Sequence, residues 1–217
     1  MSRRDNSMDK KKLTDSLAKL LEEKGKRQFK QSVELIVNVR AIDFSKTENR
    51  LNLEVLLPKG KGGKEPKVAV IGEENLTTQA KKAGVDLVIS PNELPAYADR
   101  LKIRDLAENY VILAQPNLMA QVAKNLGQYL GPRGKLPKPA VGNIADLIEK
   151  ARKSVRIVSK GKYLPTVQSF VGTELMSVDD LADNVDTIYD AIKNKVTEGN
   201  IKSVFVKLTM SKPIKVM

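Results

Sequence analysis

The chain has 217 residues with 38 Lys or Arg and 26 Asp or Glu, which gives a formal net charge of +12 at pH 7, and it contains no Cys and no His. The missing residue types exclude disulfides, thiolate and histidine catalysis, and nearly every zinc or transition-metal site. The positive charge favours a polyanionic partner such as nucleic acid, because Lys and Arg neutralise phosphates and release counterions. A merely solvated basic surface would give the same composition.

No segment of the sequence has the character of a membrane span or a secretory signal. The longest apolar runs fall well short of the roughly 20 residues that cross a bilayer. The start, "MSRRDNSMDKKK", lacks an apolar core behind its charges. We therefore expect no membrane partner.

The first part of the chain predicts an amphipathic helix and two half-exposed strands. In "DKKKLTDSLAKLLEEKGK" the leucines share one helical face, and Gly25 follows the pattern as a helix C-cap residue does. "QSVELIVNVRAI" and "RLNLEVLLP" then alternate between apolar and other residues. Alternation of this kind is typical of an antiparallel sheet with one solvated face.

The middle of the chain has a different pattern. The apolar runs "KVAVIG", "DLVIS" and "YVILAQ" are nearly continuous and are separated by helical segments, which predicts a βαβ unit with a parallel sheet. A phosphate-binding Walker loop cannot be assembled around Gly134-Lys135, because Tyr129 and Leu136 occupy the required Gly and Ser or Thr positions. Gly72 after the first run stands without the other glycines of a dinucleotide fingerprint.

A basic segment rich in Pro and Gly, "QYLGPRGKLPKPAV", spans residues 128–141. We name it the finger. Its prolines and glycines allow neither a helix nor a strand in the prediction, so it is expected to be a surface loop. Arg133, Lys135 and Lys138 could meet phosphates on this stiff segment. A basic loop that contacts nothing specific is the open alternative.

The last part of the chain returns to the style of the first. "TVQSFVG" and "IKSVFVKLTM" predict strands, and "SVDDLADNVDTIYDAIKNKV" predicts a helix capped by Ser177. The Gly/Lys segments "PKGKGGKEP" and "SKGK" flank the middle block and predict linkers that form a hinge. We predict an α/β (α+β) fold, with a discontinuous α+β domain (residues 1–66 and 160–217) carrying an antiparallel sheet and an inserted Rossmann-like βαβ domain (67–159). One continuous α/β domain is the alternative.

Three motifs resemble the large-subunit ribosomal protein L-one family: "LGPRGKLPKP", "RQFKQSVELIVNVRAID" and "KLTM". Their order and separation match over nearly the whole chain, and the basic character resembles the archaeal branch. The resemblance implies a structural RNA-binding protein, not an enzyme and without a cofactor. It implies binding to large-subunit ribosomal RNA in the mobile stalk, contact with exit-site tRNA, repression of translation through its own mRNA, a monomeric free state, and a cytoplasmic, ribosomal location.

The resemblance also assigns the RNA contacts. Phe29, Ser32 and Glu34 match the family pattern F-x-x-[ST]-x-E, and Thr209 and Met210 match the start of its Thr-Met-Gly. Ser211 stands where most members have Gly, which puts close backbone approach to RNA in doubt at that point. The predicted RNA-binding residues are Phe29, Lys30, Ser32, Glu34, Gln168, Ser203, Lys207, Thr209, Met210 and Ser211, with Arg133, Lys135 and Lys138 as peripheral RNA or tRNA contacts.

These residues predict recognition of RNA shape by a small polar row rather than by an aromatic platform. Two other classes of protein stay open at this point. An α/β enzyme or small-ligand protein would need a nucleotide or acid–base constellation, which the sequence does not supply. A general basic chaperone would bind RNA without regard to sequence and fold.

Overall fold

The computed structural model describes residues 9–63, 65–159 and 165–217. The chain divides into two compact units: unit 1 comprises Met1–Lys64 and Lys153–Met217, and unit 2 is Glu65–Arg152. The α-helices are α1 (Lys10–Leu21), α2 (Glu74–Lys82), α3 (Arg100–Asn109), α4 (Met119–Leu130), α5 (Ile144–Lys153) and α6 (Val178–Val196). The strands are β1 (Ser32–Val39), β2 (Asn52–Leu56), β3 (Lys67–Ile71), β4 (Leu87–Ile89), β5 (Tyr110–Ala114), β6 (Lys138–Pro139), β7 (Ser154–Val158), β8 (Thr166–Thr173), β9 (Ile201–Leu208) and β10 (Ile214–Lys215).

Unit 1 is built on a four-stranded antiparallel sheet in the order β10-β9-β1-β8. Alternate side chains of β1 and β9 are fully buried and pack with the apolar faces of α1 and α6, which cover one side of the sheet. Asp9 and Ser177 cap the two helices by accepting hydrogen bonds from the amides of Lys11 and Asp180. The predicted alternation is therefore correct: one face of the sheet forms the core and the other is left open.

A second, two-stranded antiparallel sheet of unit 1 pairs β2 with β7, which places Leu53 opposite Ile157 and Val55 opposite Val155. Strand β7 was not predicted from the sequence, and its residues were expected in the inserted domain. The pairing places 154–158 with unit 1 instead. Ile157 is fully buried in the same core as β1 and β9, so these residues are needed to complete that core.

The segment 58–63 of unit 1, predicted as a linker, is packed against α6 and β8. The buried side chain of Asn184 donates to the carbonyl oxygens of Gly60 and Val171 at 3.0 Å each, and its Oδ1 accepts the Lys59 amide at 3.1 Å. The Thr173 hydroxyl donates to the Gly62 carbonyl at 2.6 Å. These bonds fix the segment to unit 1 as far as Gly62. The other predicted linker, "SKGK", lies beyond Ser159 outside the described residues.

Unit 2 contains a four-stranded parallel sheet in the order β4-β3-β5-β6. Apolar side chains are buried on both of its faces: Ile71, Ile112 and Ala114 pack with one cluster, and Val68, Val70 and Leu113 pack with another. Burial on both faces explains the nearly continuous apolar runs. The predicted mixed α/β class, with antiparallel pairing in unit 1 and a parallel sheet in unit 2, is confirmed.

The finger is more ordered than predicted. Helix α4 continues into it as far as Leu130, and the amides of Gly131 and Lys135 bond to the carbonyls of Gly127 and Leu130. Lys138 then pairs with β5 as part of the edge strand β6. The prediction that no strand passes through the segment is wrong at this point, because Pro139 is tolerated on the outer strand of a sheet.

None of the helices in the described part of the chain combines the length and apolar character that crossing a membrane requires.

Candidate nucleic-acid interface

The open face of the unit 1 sheet, opposite the helices, brings predicted site residues from three strands into cross-strand rows. In one row Glu34 lies opposite Lys207 on β9. In the next, Ile36 lies between Phe205 on β9 and Gln168 on β8. Residues that follow each other at intervals of two share a face of the sheet, so these rows form one continuous surface.

Glu34 and Lys207 form the charged row of the open face. The Lys207 Nζ lies 4.0 Å from a Glu34 carboxylate oxygen and donates a 3.1 Å hydrogen bond to the Thr209 carbonyl. Both side chains are partly exposed. The lysine is thus oriented along the strand, and the Glu34 carboxylate keeps acceptor capacity toward solvent.

A polar row closes the other end of the face. Asn38 Nδ2 donates to the Ser203 hydroxyl, and the Thr166 hydroxyl donates to Asn38 Oδ1, each at 3.0 Å. Ser203 is only 8% exposed. If Ser203 contacts RNA as predicted, its hydroxyl does so while it accepts the hydrogen bond from Asn38. Asn38 and Thr166 were not among the predicted site residues.

The middle of the open face is apolar, which the sequence analysis did not anticipate. Ile36 and Phe205 lie opposite each other and both are partly exposed. Phe205 was not among the predicted site residues. A partly exposed aromatic ring between polar rows offers a surface on which a sugar or base can pack.

The predicted residues at the ends of the strands meet at one edge of the sheet. The Ser32 amide donates to Thr209 Oγ1 at 3.0 Å, and the Thr209 amide donates to the Ser32 carbonyl at 3.1 Å. Phe29 is 48% exposed and Met210 is 58% exposed, and the exposed Lys30 follows Phe29 in the chain as Lys212 follows Met210 two residues on. Two large apolar side chains with so much exposed surface next to cations are a feature of binding surfaces.

Ser211 closes the turn after β9. Its hydroxyl accepts the Leu208 amide at 2.8 Å and lies 3.2 Å from the Lys212 carbonyl. Among the described residues other than Gly, positive φ angles occur at Ala41 and Thr197 and not at Ser211. The serine is therefore accommodated without the left-handed backbone that would call for Gly.

Two residues that the sequence analysis missed hold this edge together. Gln31, 2% exposed, accepts the Met210 amide at 3.2 Å and donates to the carboxylate of Glu174, which is 4% exposed. Gln31 stands inside the motif "RQFKQSVE", but only the fold shows that its side chain points inward. The burial of these polar side chains at strand ends would have indicated their role, but the sequence does not show burial.

The basic residues of the finger belong to unit 2 and are not part of this face. Arg133 is exposed, and Lys135 and Lys138 are partly exposed. Within the described residues, no cluster of carboxylates that could hold a metal ion is present.

Together these features define a basic protein of two units, whose split unit carries an open antiparallel sheet with a mixed polar and apolar surface. The chain belongs to the ribosomal protein L1p/L10e family, whose model matches residues 20–212. The resemblance seen in the three motifs is thereby confirmed.

Individual relatives extend the match along the chain. The large ribosomal subunit protein uL1 of Thermofilum pendens is 44% identical over 195 residues, which cover 88% of this chain and 86% of the relative. Its counterpart from Thermococcus kodakarensis is 40% identical over 217 residues, or 97% and 99% of the two chains. That of Methanospirillum hungatei is 36% identical over 215 residues, or 96% and 99%. These relatives are named as ribosomal proteins, not as enzymes.

Proposed function

We propose that the chain is a structural protein of the large ribosomal subunit and that the open face of unit 1 binds ribosomal RNA. The observation that carries this proposal is the edge where Ser32, Glu34, Lys207, Thr209 and Met210 converge from strands far apart in the sequence. The family membership and the net charge of +12 support it. Under this proposal the chain works in the ribosome, in the cytoplasm.

The geometry supports recognition of RNA shape and of 2′-hydroxyl groups. Double-stranded and folded RNA is read mainly through its wide minor groove, its sugars and its backbone. The Glu34 carboxylate can accept from a 2′-hydroxyl or a base amino group, and Lys207 beside it can meet a phosphate. The exposed Phe29 and Met210, with Phe205, offer apolar surface for riboses and bases.

The finer proposals follow from the resemblance of the motifs. The RNA-bound protein forms the mobile stalk, and unit 1 acts as the RNA-binding domain while unit 2 is a separate domain. Exit-site tRNA meets the cations of the finger, Arg133 above all. The same face of unit 1 binds a similar RNA fold in the protein's own mRNA and represses its translation. The free protein is a monomer.

Filter binding with transcribed ribosomal RNA of Thermococcus kodakarensis tests the proposal. We expect the full chain to bind large-subunit RNA at least about a hundredfold more tightly than small-subunit RNA at physiological salt. Equal affinity for the two RNAs would overturn it and favour a general basic chaperone. Hydroxyl-radical footprinting on the large-subunit RNA then locates the protected element.

A matched pair of Lys variants tests the face itself. Lys207→Ala and Lys195→Ala remove the same charge, but Lys195 is exposed on α6, which packs on the other side of the sheet. We expect Lys207→Ala to lower affinity for large-subunit RNA about tenfold, because a charge-assisted contact contributes about 1.5–3 kcal/mol. Lys195→Ala should change it little. Equal effects would indicate nonspecific attraction and contradict the assignment of this face.

A further inference from the structure

Gln31 lies immediately before β1 and connects the ends of three strands of unit 1. Its carbonyl accepts the Glu174 amide at 3.0 Å, beyond the end of β8. Its side-chain Nε2 donates to a Glu174 carboxylate oxygen at 3.3 Å. Its Oε1 accepts the Met210 amide at 3.2 Å, beyond the end of β9.

The position requires a side chain that both donates and accepts hydrogen bonds. The Met210 amide needs an acceptor and the Glu174 carboxylate needs a donor. The Gln31 and Glu174 side chains are 2% and 4% exposed, and an unpaired polar group is costly in such a buried site. A primary amide meets both needs at once, whereas a carboxylate cannot donate and an ammonium group cannot accept. The chemistry of Gln31 is therefore matched to its two partners.

What Gln31 holds is the turn that presents Met210. Ser211 closes this turn locally, through its bond to the Leu208 amide. Gln31 ties the same turn to the segment before β1, where the exposed Phe29 lies two residues away. The bond to Gln31 thus fixes the backbone of one exposed apolar side chain relative to that of the other.

We infer that Gln31, with Glu174 as its anchor, is a positioning residue for RNA recognition: it sets the placement of Met210 relative to Phe29 and β1. The inference rests on the proposed function, since the ligand it serves is the RNA bound at this face. Gln31 itself is buried and is not proposed to contact RNA. Its effect passes through the Met210 backbone.

An exchange of the two side chains tests the inference. Gln31→Glu places two carboxylates side by side, so the donor to Glu174 is lost and the pair repels. The double variant Gln31→Glu/Glu174→Gln restores one donor and one acceptor in reversed order, because the new amide donates to the new carboxylate. Glu174→Gln alone keeps an acceptor for Gln31. We expect affinity for the large-subunit RNA to fall at least tenfold in Gln31→Glu and to return to within about threefold of the native value in the double variant.

The readout separates positioning from general stability. All variants are compared by filter binding well below their melting temperatures, with circular dichroism confirming the folded state. Val37→Ala, a cavity in the core of β1, serves as the control that lowers stability without touching this edge. We expect it to leave affinity for the large-subunit RNA unchanged. Affinity for small-subunit RNA should be the same in every variant.

The outcomes distinguish this inference from the proposed function. If the native chain does not prefer large-subunit RNA, the proposed function fails. If the native chain does prefer it, and folded Gln31→Glu binds as tightly as the native chain, only the role of Gln31 is overturned. Loss of affinity in Gln31→Glu without recovery in the folded double variant would also overturn it, because the hydrogen-bond pairing would not be the cause.

Discussion

Ser32 and Thr209, which are 177 positions apart, hold the beginning of β1 against the end of β9. The Thr209 hydroxyl accepts the Ser32 amide at 3.0 Å and lies 3.4 Å from the Ser32 carbonyl, while the Thr209 amide donates to that carbonyl at 3.1 Å. The Thr209 hydroxyl, which was predicted to contact RNA, is thus hydrogen-bonded within the protein. It fixes the geometry of this edge in the free protein.

This arrangement predicts that Thr209→Val and Thr209→Ser behave differently. Valine has the shape of threonine but leaves the Ser32 amide without its acceptor, so we expect the free energy of unfolding to fall by about 1–3 kcal/mol. Serine keeps the hydroxyl and should cost less. Urea denaturation followed by circular dichroism measures both. Equal stability of the two variants would show that the hydrogen bond contributes nothing.

Asn184 should be among the most sensitive polar positions of unit 1. Asn184→Ala leaves the Gly60 and Val171 carbonyls and the Lys59 amide without partners in a buried site. We expect a loss of about 2–4 kcal/mol in the free energy of unfolding. Asn194→Ala, on the exposed side of the same helix, should stay within about 0.5 kcal/mol of the native value. A small effect at Asn184 would mean that water replaces its bonds.

The β2–β7 pair predicts where unit 2 can be removed. Replacing Glu65–Arg152 with a short Gly/Ser linker keeps β7, so unit 1 should fold cooperatively and retain most of the affinity for large-subunit RNA. Replacing residues 67–159 also removes Val155 and Ile157 from the core, and this shorter chain should be less stable by several kcal/mol. Thermal denaturation and filter binding compare the two. If the first chain folds but loses specific binding, the RNA contacts lie in unit 2.

Asp86 makes the stability of unit 2 depend on pH. Partial burial of the Asp86 carboxyl raises its pKa, but hydrogen bonds from the Val68 amide and the Arg152 guanidinium, with the charges of Arg152 and Lys67, outweigh this effect and lower the pKa. A pKa below the unfolded value of about 3.9 stabilises the fold above that pH, and the contribution is lost as the pH falls through the folded-state pKa.

Asp86→Asn should therefore lower the free energy of unfolding at pH 7, and the difference from the native chain should shrink below about pH 4. Urea denaturation at pH 7, 4 and 3 measures this change. Glu73→Gln removes an exposed carboxylate of the same unit whose side chain makes no cap hydrogen bond, and it serves as the control. A difference between Asp86→Asn and the native chain that is constant across this range would contradict the role of the charge.

The sequence predicted the parts of the fold that depend on local pattern. Alternation placed Leu35 and Val37 inward and Glu34 outward, and the nearly continuous runs of unit 2 indicated a parallel sheet. Strand β7 was missed because it directly follows a helix and because all of unit 2 separates it in sequence from its partner β2. The roles of Gln31 and Asn184 were missed for the same reason: a buried amide has meaning only through distant partners that no local period encodes.

The hydrogen bonds of Asp86 also have a consequence for how the protein folds during synthesis. Asp86 bonds to Val68 near the beginning of unit 2 and to Arg152 at its end, so the folded unit holds its two ends together. Unit 2 leaves the synthesising ribosome before β7 does, and it can fold while β2 still waits for its partner. Once folded, it replaces a long flexible loop by a short bridge, which reduces the entropy lost when β7 arrives and joins β2. Folding of unit 2 thereby makes it easier for β2 and β7 of unit 1 to pair.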